Sequence, residues 1–518
     1  MRCWGDILLM GKVAFLLMVF TSGCSILSYG PPNSLEPKHE FRAVWIATVV
    51  NIDWPSEKTL TTAEQQREFI DILAFYQELN FNAVVVQVRA AGDAFYASSY
   101  EPWSKYLTGE EGRAPAPYYD PLEWMIAEAH QRGFEFHAWF NPYRATFDKD
   151  TLSLAPNHAF NAHRPWVIEY GKRFYFNPGL PEVRRYTTDV IMEVVNRYDI
   201  DGVHFDDYFY PYKVKGETFD DSAAFTGYGT GMGLEDWRRA NVDSLIKNIS
   251  DSLRAVKPWV QFGISPFGVW RNASVDSLGS DTRAGQTTYD DLYADPLKWM
   301  EYDWIDNVIP QLYWSMDYPP ASHRTLIKWW SGQAYQGHLY VGNGIYKVKN
   351  NSDKAWRKYH EVLDQLTMAR NEPAVSGNVF FSARSLRGEH APLAKKIERK
   401  KYRYPALPPS SPFTGKSTVD KPAIRMVNWQ AQPVTIHLKP ANEAVRFMLV
   451  YGAKKNRKLD VQNPRSIMLK KYIESGPGVI VSLDKKRLRR LGQLAFTFID
   501  KYGKESTPVV LPIGNNVN

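Results

Sequence analysis

The chain has 518 residues, 44% hydrophobic and 23% charged, with no low-complexity tract. That is a globular composition with room for two or three ordinary domains, or one large domain and an appendage. A net charge of +7 is mild for this length and gives no ground for nucleic-acid binding. Aromatic residues make up 14%, with 17 Trp and 30 Tyr, a supply that suits both a packed core and the flat faces of sugar rings.

Met1 to Phe20 carries Arg2 and Lys12 around the apolar run VAFLLMVF, and TSGC follows, ending at Cys24. The run is too short to span a bilayer comfortably and reads as the core of a signal peptide. Small residues directly before Cys24 look like a bacterial lipobox, with Thr21 where such boxes usually carry Leu. Residues 1–24 are therefore read as a lipoprotein signal peptide, and Cys24 as a lipidated anchor to a membrane. Cys3 is the other cysteine of the chain and would leave with the signal peptide, so no disulfide is expected. Residues 25–40, rich in Ser, Pro and Gly, read as a tether. SILSYG after Cys24 lacks a conspicuous acidic export tag, which points to an outer-membrane anchor facing the periplasm.

From Phe41 a rhythm begins. FRAVWIATVV (41–50) is strand-like, and residues 61–79 have helical period, with Phe69, Ile72, Leu73, Tyr76 and Leu79 on one face. NAVVVQVRA (82–90) is a continuous apolar run, as a strand buried on both faces would be. Helix 121–133 starts with Pro and stops at Gly, and strand 134–144 follows. Helix 181–199 leads to strand IDGVHFDDYFYP, helix 236–256 to strand 260–270, and helix 296–304 to strand 306–317. Helix 322–334 leads to strand 338–346, and helix 353–370 to strand 376–384. Eight alternating units require a parallel sheet, and over residues 41–404 they predict an α/β fold, a (β/α)8 TIM barrel.

PALPPSSP opens a Pro- and Ser-rich linker, 405–417, and the texture then changes. AIRMVNWQ, VTIHLK, VRFMLVYG, GVIVSL and AFTFIDKYG are short alternating strands, which predict a small all-β sandwich over 418–518. AFTFIDKYGKES resembles the last hairpin of fibronectin type III modules. KKNRK (454–458) and KKRLRR (485–490) make this tail basic, as a solvated face would be.

Chemistry in such a barrel sits at the C-terminal ends of the strands. The second strand ends in Gln87, Arg89 and Asp93; the third carries His137, Trp139, Asn141, Tyr143 and Arg144. The fourth ends in Asp206, Asp207 and Tyr208, with His204 before them. The fifth offers Ser265, Trp270 and Arg271, the sixth Gln311, Tyr313, Trp314 and Asp317, and the eighth Arg384 and Glu389. Acids, amides, arginines and rings thus converge on one rim. Rings match the apolar face of a sugar, and the polar groups match its hydroxyls. We take the residues named from the third to the sixth strand as the candidate sugar contacts, Ser265 and the acids apart.

Side chains alternate along a strand, so His204 and Asp206 share one face and Asp207 takes the other. Asp206 is assigned to the lumen and Asp207 to the loop side. Burial and a like-charged neighbour can raise one of the two pKa values while the other group stays ionised. Glycoside hydrolysis needs two carboxyl groups across the scissile bond. Two neighbours rarely span both sides, so Asp317 is taken as the candidate partner, beside Glu389, Asp93, Asp295 and Asp281, which the sequence does not separate.

FRAVWIATVVNIDWP, HAWFNPYR, DGVHFDDYFYP, GISPFGVWRN, GSDTRAG and PQLYWSMDYP resemble the glycoside-hydrolase-like family ten lipoproteins, over the whole barrel from Phe41 to about Tyr404. The resemblance implies a distant kinship with retaining α-glycosidase barrels, whose fourth strand ends in a DGxRxD-like motif. DGVHFD matches it at Asp201, Gly202 and Asp206, with His204 in place of Arg. It implies Asp206 as nucleophile and a hydrolase of cell-envelope polysaccharide, the glycan strands of peptidoglycan stripped of their stem peptides. No cofactor is implied. Two rival readings stand beside it. His137, His204 and Asp206 could hold zinc for a carbohydrate deacetylase or amidohydrolase, and a glycan-binding lipoprotein could keep the rings without turnover.

Overall fold

The computed structural model describes residues 36–514 apart from 334, 414–418, 440–443 and 474–477. Cys24 and the expected signal peptide lie outside the described residues, as does the side chain of Glu389.

Strands β1 (Phe41–Ile46), β2 (Ala83–Arg89) and β3 (Glu135–Phe140) open the fold. A hairpin follows, β4 (Val167–Tyr170) and β5 (Arg173–Phe176). Then come β6 (Gly202–Phe205), β7 (Gln261–Ile264), β8 (Asn307–Val308), β9 (His338–Gly344) and β10 (Val375–Phe381). Eight of these close a barrel in the order β1-β10-β9-β8-β7-β6-β3-β2, and every pair is parallel. A helix follows each barrel strand before the next, the (β/α)8 pattern expected from the rhythm. The first, Thr62–Glu78, shows why these helices start where they do: Thr61 and Glu64 close a reciprocal capping box.

Alternation sorts the strand residues. Val44, Ile46, Val84 and Val86 face the helices and join the outer core. Phe41, Ala43, Trp45, Val85, Trp139 and Val379 fill the lumen. A Cβ at Gly202 would stand 2.4 Å from His137 Nδ1, so the small residue at this level makes room for the neighbouring ring.

Three details differ from the expectation. Strand 306–317 reduces to Asn307–Val308. Pro310 has no N–H to extend the ladder, which shrinks to isolated bridges from Gln311 to Phe267 and Gly342. The helix expected over 353–370 starts at His360, after a 3-10 turn over Lys354–Arg357. The hairpin β4–β5 lies between strand 134–144 and helix 181–199, where no element was expected.

The tail forms two antiparallel sheets. Strands β11 (Ile424–Asn428), β12 (Val434–Leu438), β13 (Val445–Lys454) and β14 (Ile467–Tyr472) precede β15 (Val479–Leu483), β16 (Leu491–Asp500) and β17 (Val509–Pro512). The sheets are ordered β11-β12-β15 and β14-β13-β16-β17, and one apolar core joins them. They attach at the N-terminal end of the barrel, away from the rim. Arg446 Nη1 lies 2.7 Å from Asp201, and its Nη2 lies 2.8 Å from Asp199. Asp201 also accepts from Phe136 N and pairs with His130 at 2.8 Å. The Pro- and Ser-rich stretch is packed here too: Leu407 is buried and exchanges backbone hydrogen bonds with Lys38 and Glu40.

Candidate active site

A cavity of about 490 Å³ opens at the C-terminal rim. Trp45, Gln87 and Trp139 reach it from the first three barrel strands. Asp206 and Asp207 stand at its floor, and Tyr208 and Tyr212 follow on the same loop. Ser265, Phe267, Gln311, Tyr313 and Trp314 close one side; Tyr346, Lys347 and Phe381 close another.

Strand β6 ends at Phe205, so alternation no longer governs the next two residues. The chain turns, and both carboxylates face the cavity. The division into lumen and loop sides is corrected: Asp206 is 4% and Asp207 2% exposed. Their partners differ. Asn141 Nδ2 donates to Asp206 at 2.8 Å, and the backbone N–H of Tyr208 donates at 3.3 Å. Asn141 is itself oriented by Gln87, whose Nε2 donates to Asn141 Oδ1 at 2.6 Å. Gln87 Oε1 accepts from the backbone N–H of Thr48 and Val49 at 3.1 and 3.0 Å. An amide relay therefore runs from the loop after β1 to Asp206. Asp207 accepts from the Tyr212 hydroxyl, and from Gln311 Nε2 at 3.0 Å.

Burial, then the charge of Asp207, pushes the Asp206 carboxyl up to about 7, against the smaller opposing pull of Arg144, the Tyr208 N–H and Asn141. Burial raises Asp207 as well, against the Tyr212 and Gln311 donors. Neighbouring like charges do not both ionise easily. Near neutral pH the pair holds one proton, with Asp206 the better-placed carrier. One side chain can then donate a proton while its neighbour remains an anion.

Beneath the pair, Trp45 Nε1 donates to His204 Nε2 at 3.1 Å, and Ser265 Oγ lies 3.2 Å from the same nitrogen. An indole N–H only donates, so Nε2 is an acceptor and the ring proton is on Nδ1. Burial, then His137, holds the ring well below the usual histidine range. His204 is thus a neutral support under the site. The loop above β1 carries backbone strain: Val50 and Asn51 both have φ of 53°. For β-branched Val50 that costs about 1–3 kcal/mol, and it presents Val50 at the cavity mouth.

Of the residues singled out in the sequence, Gln87, Trp139, Arg144, Asp206, Asp207, Tyr208, Ser265, Gln311, Tyr313 and Trp314 line the cavity. Asn141 lies behind Asp206, and His204 lies below the pair. His137 does not line it; its Nε2 is 3.2 Å from Glu135 inside the barrel. Tyr143 is buried beside the hairpin, its carbonyl accepting from Phe176 N. Trp270 is buried with its indole N–H on Asp295, and Arg271 pairs with Asp276 and Asp290. Neither lines the cavity, where sugar contacts were expected, because their polar groups are taken by these aspartates. Asp317 is 77% exposed, pairs with Arg324 at 3.0 Å and does not line the cavity. Asp93 caps the turn at Ala90 and Ala91, Asp295 caps helix Pro296–Glu301, and Asp281 is exposed. Among the described residues no group of three His, Cys, Asp or Glu side chains is placed to hold a metal ion.

Sequence reading passed over Trp45, Tyr212 and Arg173. Tyr212 stands one residue beyond DGVHFDDYFYP and had a legible signal. Arg173 had one too: VIEY and RFYF are strand-like runs joined by Gly171 and Lys172, the pattern of a two-residue hairpin.

Over residues 40–358 the chain matches the family described as glycosyl hydrolase-like 10. It is 42% identical over 447 residues to the glycosyl hydrolase YngK of Bacillus subtilis (strain 168), covering 85% of this chain and 87% of that one. It is 39% identical over 375 residues to the glycosyl hydrolase DigH of Escherichia coli (strain K12), covering 68% and 84%. Among solved structures, the glycoside hydrolase domain of PgaB (BpsB) from Bordetella bronchiseptica aligns with a TM-score of 0.47 at 12% identity, covering 69% of this chain and 98% of that one.

Proposed function

Because the chain belongs to the glycosyl hydrolase-like 10 family, we propose that it is a glycoside hydrolase of the cell envelope, acting on peptidoglycan glycan strands. The observation that carries the reading is the buried pair Asp206 and Asp207 at the floor of an aromatic-lined cavity. Kinship with retaining α-glycosidases implied Asp206 as nucleophile. The surroundings favour another assignment. A nucleophile must be ionised, and Asp206 is the member whose proton is retained to about 7. Asp206 is therefore the general acid to the glycosidic oxygen. Asp207, held by the neutral donors Tyr212 and Gln311, is the anion that stabilises positive charge developing on the sugar and takes the proton of the water that bonds to it as the glycosidic bond breaks. Trp45, Trp139, Tyr313 and Trp314 supply flat surfaces for the rings of the strand.

The test is digestion of stem-peptide-free glycan strands, read by mass spectrometry. The wild type should release fragments, and Asp206→Asn and Asp207→Asn should not. Fragments released equally by Asp206→Asn would remove that residue from the chemistry. Cys24 completes the proposal as a lipid anchor to the outer membrane, facing the periplasm. Labelling with a radioactive fatty acid should be lost in Cys24→Ala, and retained label would refute the anchor.

A further inference from the structure

A second cavity of about 820 Å³ adjoins the first, and Tyr346 lines both. Lys349, Arg384 and Arg387 line it, and no carboxylate does among its described residues. None of these three cations has an ion-pair partner within 4 Å among the described residues. Lys349 lies over the Tyr359 ring at 4.8 Å. The short helix Ala383–Leu386 that carries Arg384 is pinned by Asp53, which accepts from Arg384 N and Ser382 Oγ at 2.7 Å each. Asp53 is thereby engaged, leaving the Arg384 guanidinium exposed.

The first cavity, whose floor holds Asp206 and Asp207, also carries cations on its far side. Arg144 and Arg173 line it from the loop after β3 and from the hairpin. In the ring order β3 stands four strands from β9, diametrically opposite the wall that carries Lys347 and Lys349. Arg144 is only 4% exposed, and its Nε has no hydrogen-bond partner. Its guanidinium lies 4.5 Å from the centre of the Tyr208 ring and has no ion pair within 4 Å among the described residues.

Arg144 feels the charge of Asp206 and Asp207 through space only, and a buried guanidinium with no directly paired anion is costly. Neutral sugar hydroxyls do not call for such forks; a carboxylate matches them in charge and in planar geometry. We propose that the two cavities form one cleft for an anionic glycan. A carboxylate beside the scissile bond pairs with Arg144, and a carboxylate further along the strand reaches Arg384 and Arg387. Given the reading of the site as a peptidoglycan glycosidase, on which this inference rests, the carboxylate is the O-lactyl ether borne on alternate sugars.

Binding to the full-length Asp206→Asn protein, read by fluorescence anisotropy, tests this apart from turnover. The probes are labelled stem-peptide-free strands, the same strands with lactyl carboxylates reduced to alcohols, and oligogalacturonate. Reduction should raise Kd about tenfold or more, and adding Arg384→Gln and Arg387→Gln should raise Kd for native strands several-fold but not for reduced ones. Equal affinity for native and reduced strands would overturn the inference, as would failure to bind native strands. Tighter binding of oligogalacturonate than of native strands would overturn the lactyl assignment in favour of a uronate. Discrimination by binding without cleavage by the wild type would refute the hydrolase reading and leave the anionic cleft standing.

Discussion

Asp206→Asn should make the protein less active and more stable, and both effects have calculable sizes. Asp206 titrates at 3.8 ordinarily and at about 7 in the fold. The folded state thus favours the protonated form, and ionising Asp206 opposes folding. That opposition is absent below about pH 4, grows as pH rises, and is complete above about pH 7. At about 1.4 kcal/mol per pH step, the gap amounts to about 4 kcal/mol at pH 8 and between 1 and 2 kcal/mol at pH 5, roughly. Asparagine is nearly isosteric and carries no charge, so the substitution removes the opposition. For a folded unit spanning Glu36–Asn518, a gain of 1 kcal/mol raises Tm by about 1 °C. The variant should melt about 4 °C above wild type at pH 8 and only about 1–2 °C above it at pH 5. Loss of a general acid should lower kcat/KM by about 10²–10⁴. Calorimetry at the two pH values and initial rates on stem-peptide-free strands check both halves. A Tm difference that does not depend on pH would refute the electrostatic account of Asp206. Near-wild-type turnover would refute its role.

Other perturbations separate the groups around the pair. In wild type the basic limb of kcat/KM should fall with a midpoint near 7 as Asp206 loses its proton. Arg144→Gln removes a cation that favours the ionised form of both aspartates, so that limb should move to higher pH; an unmoved limb would place Arg144 outside the electrostatics of the pair. Tyr212→Phe removes the hydroxyl that donates to Asp207, which should raise the acid limb and lower kcat/KM about tenfold or more. A profile identical to wild type would show that Tyr212 does not hold Asp207. At the far end of the barrel, burial would raise the Asp201 pKa, but Arg446 and His130 reverse that and hold it below the ordinary range. Arg446→Met leaves Asp201 buried with one cation fewer and should cost about 3 kcal/mol, seen as a lower denaturation midpoint with kcat unchanged. A midpoint equal to wild type would show that the pair contributes no net stability.

The rhythm of the barrel was legible because each strand and helix announces itself locally. NAVVVQVRA is apolar throughout, and residues 121–133 begin with Pro and end with Gly. DGVHFDDYFYP marked the floor of the site for the same reason: a short apolar strand that runs straight into two carboxylates is a local signal. The rim was less legible. Trp270 and Arg271 looked like sugar contacts by position, yet their polar groups are taken by Asp295, Asp276 and Asp290. Asp317 looked like a catalytic partner, yet it is exposed and paired with Arg324.

The sequence by itself determined the α/β order, the eight barrel strands, the all-β tail and the place of Asp206 and Asp207 at a strand end. These follow from period, punctuation and residue type, which act over a few positions. Only the tertiary structure decided that both aspartates face one cavity, and that Gln87 and Asn141 form a relay to Asp206. It alone decided that Arg144 and Arg173 oppose Lys347, Arg384 and Arg387 across the rim. Those facts depend on where loops far apart in sequence converge once the barrel closes, and no local pattern fixes how a loop leaves its strand.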